Sequence, residues 1–354
     1  MKEKRSNITI YDVATTLNIS VATVNRALNN KPRVSPETKR RVEEVVSQLG
    51  YRANPAAQAL ARKLIKIGVI ISGPFPYFRD EILKGMYSAL EELKDFNFNG
   101  IFHVLISTSE SEKNAEIKSV MKNMVDEGYS GIILLPNIDT RGIADLIKEL
   151  KTQNVFVATI VSDIPQSERV FTVKGDGLSA GKMAAELMWW FCGKNPIAIF
   201  SGNSAVEIHK ENLLGIEAMQ NRFPLDILKV YENQDDAMIA YYATENLLRE
   251  FPNVAGIYIN SFNSITVCQK VIEAGLAGKI KIVTTDVSPE ILDLIDKGVI
   301  SATIFQNPYK QGKMAFRKLC DYITKSREGY GDILITPQIV MNSNKEHYSY
   351  NIIE

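Results

Sequence analysis

The chain has 354 residues, with 41 Lys+Arg balanced by 41 Asp+Glu, 45% hydrophobic residues and 23% charged ones. That length exceeds one ordinary core and suits two or three compact units, and the balance excludes a chain too polar to fold. No apolar run approaches the ~18 residues of a membrane span, and the charged start Met1-Lys2-Glu3-Lys4-Arg5 leads into no apolar h-region, so a cytoplasmic protein is expected.

Cys192, Cys268 and Cys320 lie far apart with no CxxC spacing, and His103, His209 and His347 are equally scattered. Reduced thiols, ordinary core or surface roles for the histidines, and neither a metal nor a cofactor are expected. The neutral total hides an asymmetry: through Lys66 there are 13 Lys+Arg against 5 Asp+Glu, leaving 28 against 36 for the remainder. A basic head on an acidic body suits a polyanion-binding module, although a charge run alone is more often a solvated face.

The first elements supply the motif. Thr9 is placed to cap a helix with Asp12 three residues on, and Ile10, Val13, Ala14 and Leu17 recur at helical spacing. Asn18-Ile19-Ser20 breaks that pattern with a residue tolerant of the left-handed conformation and a new cap. A second helix buries Val24, Ala27 and Leu28, leaving Val21, Ala22, Asn25 and Arg26 outward. Ser35-Pro36-Glu37 opens a third helix, carrying Val42, Val45, Val46 and Leu49 and stopping at Gly50. Two helices joined by so tight a turn predict a helix-turn-helix, with a plain helical bundle as the alternative. Asn54 to Lys63 reads either as a linker or as a helix under three turns, too short to hold alone, that orders on DNA and wedges an apolar side chain into the minor groove.

From Lys66 onward, apolar β-rich runs alternate with helical stretches. Strands are predicted over Ile67–Ser72, Phe102–Ile106, Gly131–Leu135, Val155–Val161, Pro196–Ser201, Val254–Asn260, Lys281–Thr285 and Ile300–Gln306, with helices such as Arg79–Lys94, Glu110–Glu127 and Gly177–Trp190 between them. The pattern implies parallel sheets covered on both faces, and its length implies two similar α/β lobes. Ligands of such folds bind beyond the carboxyl ends of the strands. There stand the aromatic segment Phe75, Tyr77 and Phe78, read as a loop at a mouth, and Asn260, Asp286 and Gln306. Rings flanked by amides and a carboxylate suit a polyhydroxyl ligand. Taken singly, Asp286 and Asn260 could instead cap the helices that follow.

No P-loop, GxGxxG turn, GxSxG elbow or metal-ligand spacing occurs, so no enzyme is expected; Ser201-Gly202-Asn203-Ser204 is an ordinary strand end. An exported solute-binding protein would share the body but not the first 63 residues.

Thr9-Ile10-Tyr11-Asp12-Val13-Ala14, Ser20-x-x-Thr23-Val24-x-Arg26-x-Leu28-Asn29, Val34-Ser35-x-x-Thr38 and Leu49-Gly50-Tyr51-x-x-Asn54 together resemble the head of the LacI/GalR (lactose-repressor) family. The body resembles that family's periplasmic-binding-protein-like effector domain, with Thr284-Thr285-Asp286 and Ile304-Phe305-Gln306-Asn307-Pro308-Tyr309-x-x-Gly312 at its ligand-contacting strand ends. The resemblance implies an α/β protein with a helix-turn-helix head (1–53), a hinge helix (54–64) and a two-lobed effector domain (65–354). Lobe 1 would take about 65–172 and 305–333, and lobe 2 about 173–304 and 334–354. It implies that Val21 and Ala22 read bases, that Thr23, Asn25, Arg26 and Asn29 support base and phosphate contacts, that Leu60 is the wedge, and that Thr9, Tyr11, Ser20, Asn54 and Ala57 also lie against DNA. In the cleft, Asp286 would accept from ligand hydroxyls, with Asn260 and Gln306 donating or accepting. Asn25 stands where Ser is usual, Asn212 where Arg is usual, and Val161 where sugar binders often carry Asp. The expected protein is a homodimeric repressor of carbohydrate-utilisation genes on a pseudo-palindromic operator, answering to a sugar or, alternatively, to a nucleoside or sugar acid.

Overall fold

Capping residues set the ends of three helices at the N-terminus. In the computed structural model, which describes residues 8–28, 32–51, 64–72, 76–105, 109–136, 140–325 and 330–348, α1 spans Ile10–Leu17, α2 Val21–Leu28 and α3 Pro36–Leu49. The Asp12 carboxylate accepts from the Thr9 backbone N–H at 2.7 Å and the Thr9 hydroxyl at 2.8 Å, satisfying donors that a helix start leaves open. The Thr9 N–H first, then its hydroxyl, holds the exposed Asp12 below the ordinary carboxylate range. Asn18 takes the left-handed conformation at φ 51°, which sends the Ile19 N–H back to Ala14 O and turns the chain into α2. Ser35 accepts from the Thr38 N–H at 3.1 Å with Pro36 in the first helical position, and Gly50 ends α3 at φ 64°. Val13, Ala14, Leu17, Val24, Ala27 and Val42 form the core of this head. Val21, expected to face outward, is half-buried against that core because its position follows the turn that brings α2 over α1.

Among the described residues the body holds two six-stranded sheets of the same strand order, β11-β5-β4-β3-β1-β2 and β12-β10-β9-β8-β6-β7. Their strands are β1 Ile65–Ser72, β2 Phe98–Leu105, β3 Gly131–Leu135, β4 Phe156–Ile160, β5 Thr172–Gly175, β6 Ile197–Ser201, β7 Ile227–Glu232, β8 Gly256–Ile259, β9 Lys281–Thr285, β10 Ala302–Phe305, β11 Ile333–Ile335 and β12 Gln338–Val340. The inner strands are buried on both faces, as parallel strands covered by helices must be. Only β10 and β12 pair antiparallel among the recorded pairings. Four strands go beyond the sequence reading: β5, β7, β11 and β12. The end of the Phe102–Ile106 prediction, Ile106, lies outside the described residues.

The chain crosses between the sheets at 175–177, 305–308 and 335–338. The first crossing falls after Gly175 instead of residue 172, because Thr172 and Val173 still pair with Thr159 and Ile160 of β4. Each lobe brings two helices together over a glycine. A Cβ on Gly85 of the Pro76–Glu92 helix would stand 2.0 Å from Tyr309 O of the Pro308–Thr324 helix. One on Gly181 of the Gly177–Cys192 helix would stand 1.9 Å from Asn212 O of the Glu207–Met219 helix. Only a residue without a side chain permits these approaches, and the second fixes the helix that carries Asn212. Among the described residues no helix is long and apolar enough to cross a membrane.

Candidate functional site

The carboxyl ends of the strands in the two lobes enclose a cleft of about 380 Å³. Its first wall comes from Ile71, Phe78, Ile82, Leu135 and Val161, and its second from His209, Asn212, Asn260, Phe262, Asp286 and Gln306. Of the residues singled out by sequence, the structure therefore brings together Phe78, Val161, Asn212, Asn260, Asp286 and Gln306. Phe75 lies outside the described residues. Tyr77 does not line the cleft: the segment read as a mouth loop is already helical from Pro76, so Tyr77 and Phe78 leave the helix in different directions. Phe78 reaches across instead and meets Phe262 of the other lobe edge to face, with centroids 5.8 Å apart at 76°.

Val161 and Asp286 occupy the same place in the two lobes, one residue past β4 and β9. Each donates its N–H to the neighbouring strand at 2.9 Å, Val161 to Val173 O and Asp286 to Ile304 O, and each has φ 68°. Asp tolerates that conformation, whereas a β-branched residue there is strained by about 1–3 kcal/mol. The site therefore puts a carboxylate on one lobe and an isopropyl group on the other. Asp163, two residues beyond Val161, cannot replace the missing carboxylate. Arg169 grips both its oxygens, Nη2 to Oδ2 at 2.5 Å, while also holding Asp332 at 2.9 and 3.0 Å.

Asp286 is partly exposed, with its carboxyl walled in by protein. Gln306 Nε2 donates to its Oδ1 at 3.0 Å. Burial pushes its pKa up to about 7, against the opposing pull of the Gln306 hydrogen bond and of His209. Ser288 and Asn263 are the caps of the following helices, so neither Asp286 nor Asn260 has that role. Asn260 Oδ1 accepts from the Gly202 N–H at 3.2 Å, and Asn212 Oδ1 accepts from the hydroxyl of the fully buried Tyr258 at 2.8 Å.

Sequence reasoning missed His209, Asp235 and Phe262. His209 Nε2 lies 3.4 Å from Asp235 Oδ2. Burial raises Asp235, but the hydrogen bond and charge of His209 outweigh it and leave its pKa below the ordinary value. A signal for His209 existed: it stands one helical turn before Asn212, on the same face of the Glu207–Met219 helix.

In the head, Thr9, Tyr11, Ser20, Ala22, Asn25 and Arg26 are exposed, and Val21 and Thr23 partly so. Ser20 Oγ accepts from the Thr23 N–H at 3.1 Å and fixes the first turn of α2. Asn29, Asn54, Ala57, Leu60 and nearly all of the 54–64 segment lie outside the described residues.

A helix-turn-helix head followed by a two-lobed cleft-bearing body defines a DNA-binding regulator with a sensor domain. The model of the bacterial regulatory proteins of the lacI family matches residues 9–54, and that of the periplasmic binding protein domain matches 67–327. The chain thus carries a lacI-family DNA-binding domain at its N-terminus, and its body belongs to the periplasmic binding protein domain family. It is 29% identical over 252 residues to catabolite control protein A of Staphylococcus xylosus, covering 70% of each chain. It is 28% identical over 259 residues to the protein of that name from Priestia megaterium, covering 72% of this chain and 74% of that one. The body shares its fold with GanP, a glucose-galactose binding protein from Geobacillus stearothermophilus (TM-score 0.69, 22% identity, 80% of this chain and 99% of that one). A Burkholderia graminis solute-binding protein solved with D-arabinose is similar at TM-score 0.71 and 22% identity, over 82% of this chain and 99% of that one.

Proposed function

We propose that the chain is a cytoplasmic, non-catalytic, homodimeric repressor of carbohydrate-utilisation genes, whose operator affinity is set by a sugar or sugar derivative in the cleft. The observation that carries this reading is the cleft itself. Asp286, Gln306, Asn260 and Asn212 converge on it from one lobe and Phe78 from the other, behind a lacI-type head. Fixed amides and a carboxylate satisfy hydroxyls, and aromatic rings cover apolar sugar faces. In the head, Val21 and Ala22 are assigned to base edges, where small apolar side chains can meet a thymine methyl group but form no bidentate bond to guanine. Thr9, Tyr11, Ser20, Thr23, Asn25, Arg26 and Asn29 are assigned to phosphates and supporting contacts, and Leu60 to the minor groove.

Dimerisation is supported by the edge strands. β2 and β7 end their sheets and carry exposed Val104 and Val230, and Tyr87, Met238, Ile239 and Tyr242 on helices of the two lobes are also exposed. Two heads on such a dimer would read a pseudo-palindromic operator. Ligand closing the cleft would shift the lobes and, through the 54–64 segments, change operator affinity, and DNA must then shift ligand affinity by the same factor. The test is selection of duplexes from a random library on the full chain, followed by sedimentation of the complex. Enrichment of an inverted repeat bound by two chains supports the reading; a monomer on DNA, or no enrichment, overturns it.

A further inference from the structure

The second wall of the cleft offers two amides that turn their oxygens away from it. The Gly202 N–H can only donate, so Asn260 must turn its Oδ1 toward it, and the Asn260 NH2 group is left buried without a partner. Tyr258 is fully buried in the middle of its sheet, and its hydroxyl donates to Asn212 Oδ1, which leaves the Asn212 NH2 group for the cleft. Both amides thus present donors alone. In this orientation both ask for an acceptor, which a hydroxyl oxygen supplies and an oxyanion supplies more strongly.

Of the four carboxylates that line the cleft among the described residues, three have a basic side chain at ion-pair distance and Asp286 has none. Asp163 is held by both its oxygens on Arg169, Glu207 lies 3.1 Å from Lys174 Nζ, and Asp235 lies 3.4 Å from His209. Asp235 Oδ1 and the second oxygen of Asp286 are acceptors that suit ligand hydroxyls. The first wall adds the Val161 isopropyl group where its equivalent in the other lobe is Asp286, removing one carboxylate from the cleft. A cavity of about 380 Å³ has room for a molecule of hexose size.

We propose that the effector is a sugar-sized hydroxylated molecule bearing an oxyanion, with that group held by the Asn212 and Asn260 amides and its hydroxyls by Asp235 and Asp286. This deepens the sugar-responsive reading above and rests on it. Hydrogen bonds to a charged acceptor are roughly twice as strong as neutral ones, so the oxyanion should dominate discrimination.

The experiment is calorimetric titration of the full chain with pairs sharing one carbon skeleton: D-glucose, D-gluconate, D-glucuronate and D-glucose 6-phosphate, then the D-galactose, D-ribose and D-arabinose sets. At least one anion should bind about tenfold or more tightly than its neutral partner, and the carboxylate and phosphate arms separate the two sources of the oxyanion. Asn260→Asp keeps the acceptor that Gly202 requires and replaces the amide donors by an acceptor. It should lose about tenfold or more for the anion, and clearly more than it loses for the neutral sugar. Tighter or equal binding of the neutral sugars, or an Asn260→Asp protein that loses both ligands alike, overturns the oxyanion assignment and leaves the sugar-responsive reading intact. Absence of binding by every sugar, acid and phosphate from a cooperatively folding sample overturns that reading as well.

Discussion

Asp286→Asn should make the protein more stable at alkaline pH, and by an amount that grows with pH. Burial raises the Asp286 carboxyl to about 7, while in the unfolded chain it titrates near its ordinary value of 3.8. Between those two values the native state binds more protons than the unfolded state, so stability is lost as pH rises through the folded pKa. The direction is opposite to that of a carboxylate in an ion pair. Each unit corresponds to about 1.4 kcal/mol, so the span from pH 5.5 to 7 contributes about 2 kcal/mol, and above pH 7 the loss is complete. Asn preserves the shape and the Gln306 Nε2 hydrogen bond and carries no titrating group. The gap in unfolding free energy between variant and parent, measured by urea denaturation of the ligand-free full chain, should therefore widen by about 2 kcal/mol between pH 5.5 and pH 8. Comparing the two proteins at each pH cancels the titrating groups that do not interact with Asp286. A gap that stays constant or narrows would refute the claim that this carboxyl is desolvated in the fold.

Three further substitutions test other parts of the account. Arg169→Met leaves the buried Asp163 carboxylate without its partner and should destabilise the body by about 3–5 kcal/mol in urea unfolding; a change under ~1 kcal/mol would mean that water reaches Asp163 freely. Gly181→Ala forces a methyl group against Asn212 O and should lower stability by about 1–3 kcal/mol and weaken ligand binding by displacing Asn212; unchanged affinity would separate Asn212 from the site. Ser35→Ala removes the α3 cap and should destabilise the head by about 1 kcal/mol, read as faster hydrogen exchange in α3 with the body unaffected.

The parts of the fold legible in the sequence are those whose signals are local. Ser35-Pro36 and Gly50 bracket α3 because capping is read within a few residues, and the apolar runs of β1, β3, β4, β6 and β9 announce themselves because both their faces are buried. β11 and β12 have three residues each and owe their conformation to the strands they pair with, so no periodicity marks them. β7 is an edge strand with Lys229, Val230 and Glu232 exposed, which breaks up the apolar run. In the cleft, Asn260, Asp286 and Gln306 were legible because the ends of parallel strands are where such folds place their sites. His209 and Asp235 were not, since their pairing joins a helix to the turn after β7 and exists only once the lobe has folded. Tyr77 failed for the opposite reason: its aromatic surroundings suggested a loop, and Pro76 starts a helix there instead.

The central claim is that ligand in the cleft governs DNA affinity, and fluorescence anisotropy tests it most directly. The full chain would be titrated onto its selected duplex at fixed salt, with and without the tightest ligand of the sugar, acid and phosphate panel. The account predicts at least about a tenfold change in Kd, with the reciprocal change in ligand affinity on DNA, and loss of the response in Asp286→Ala while DNA affinity without ligand is kept. An operator affinity that ligand leaves unchanged, in a protein shown to bind both, would contradict it.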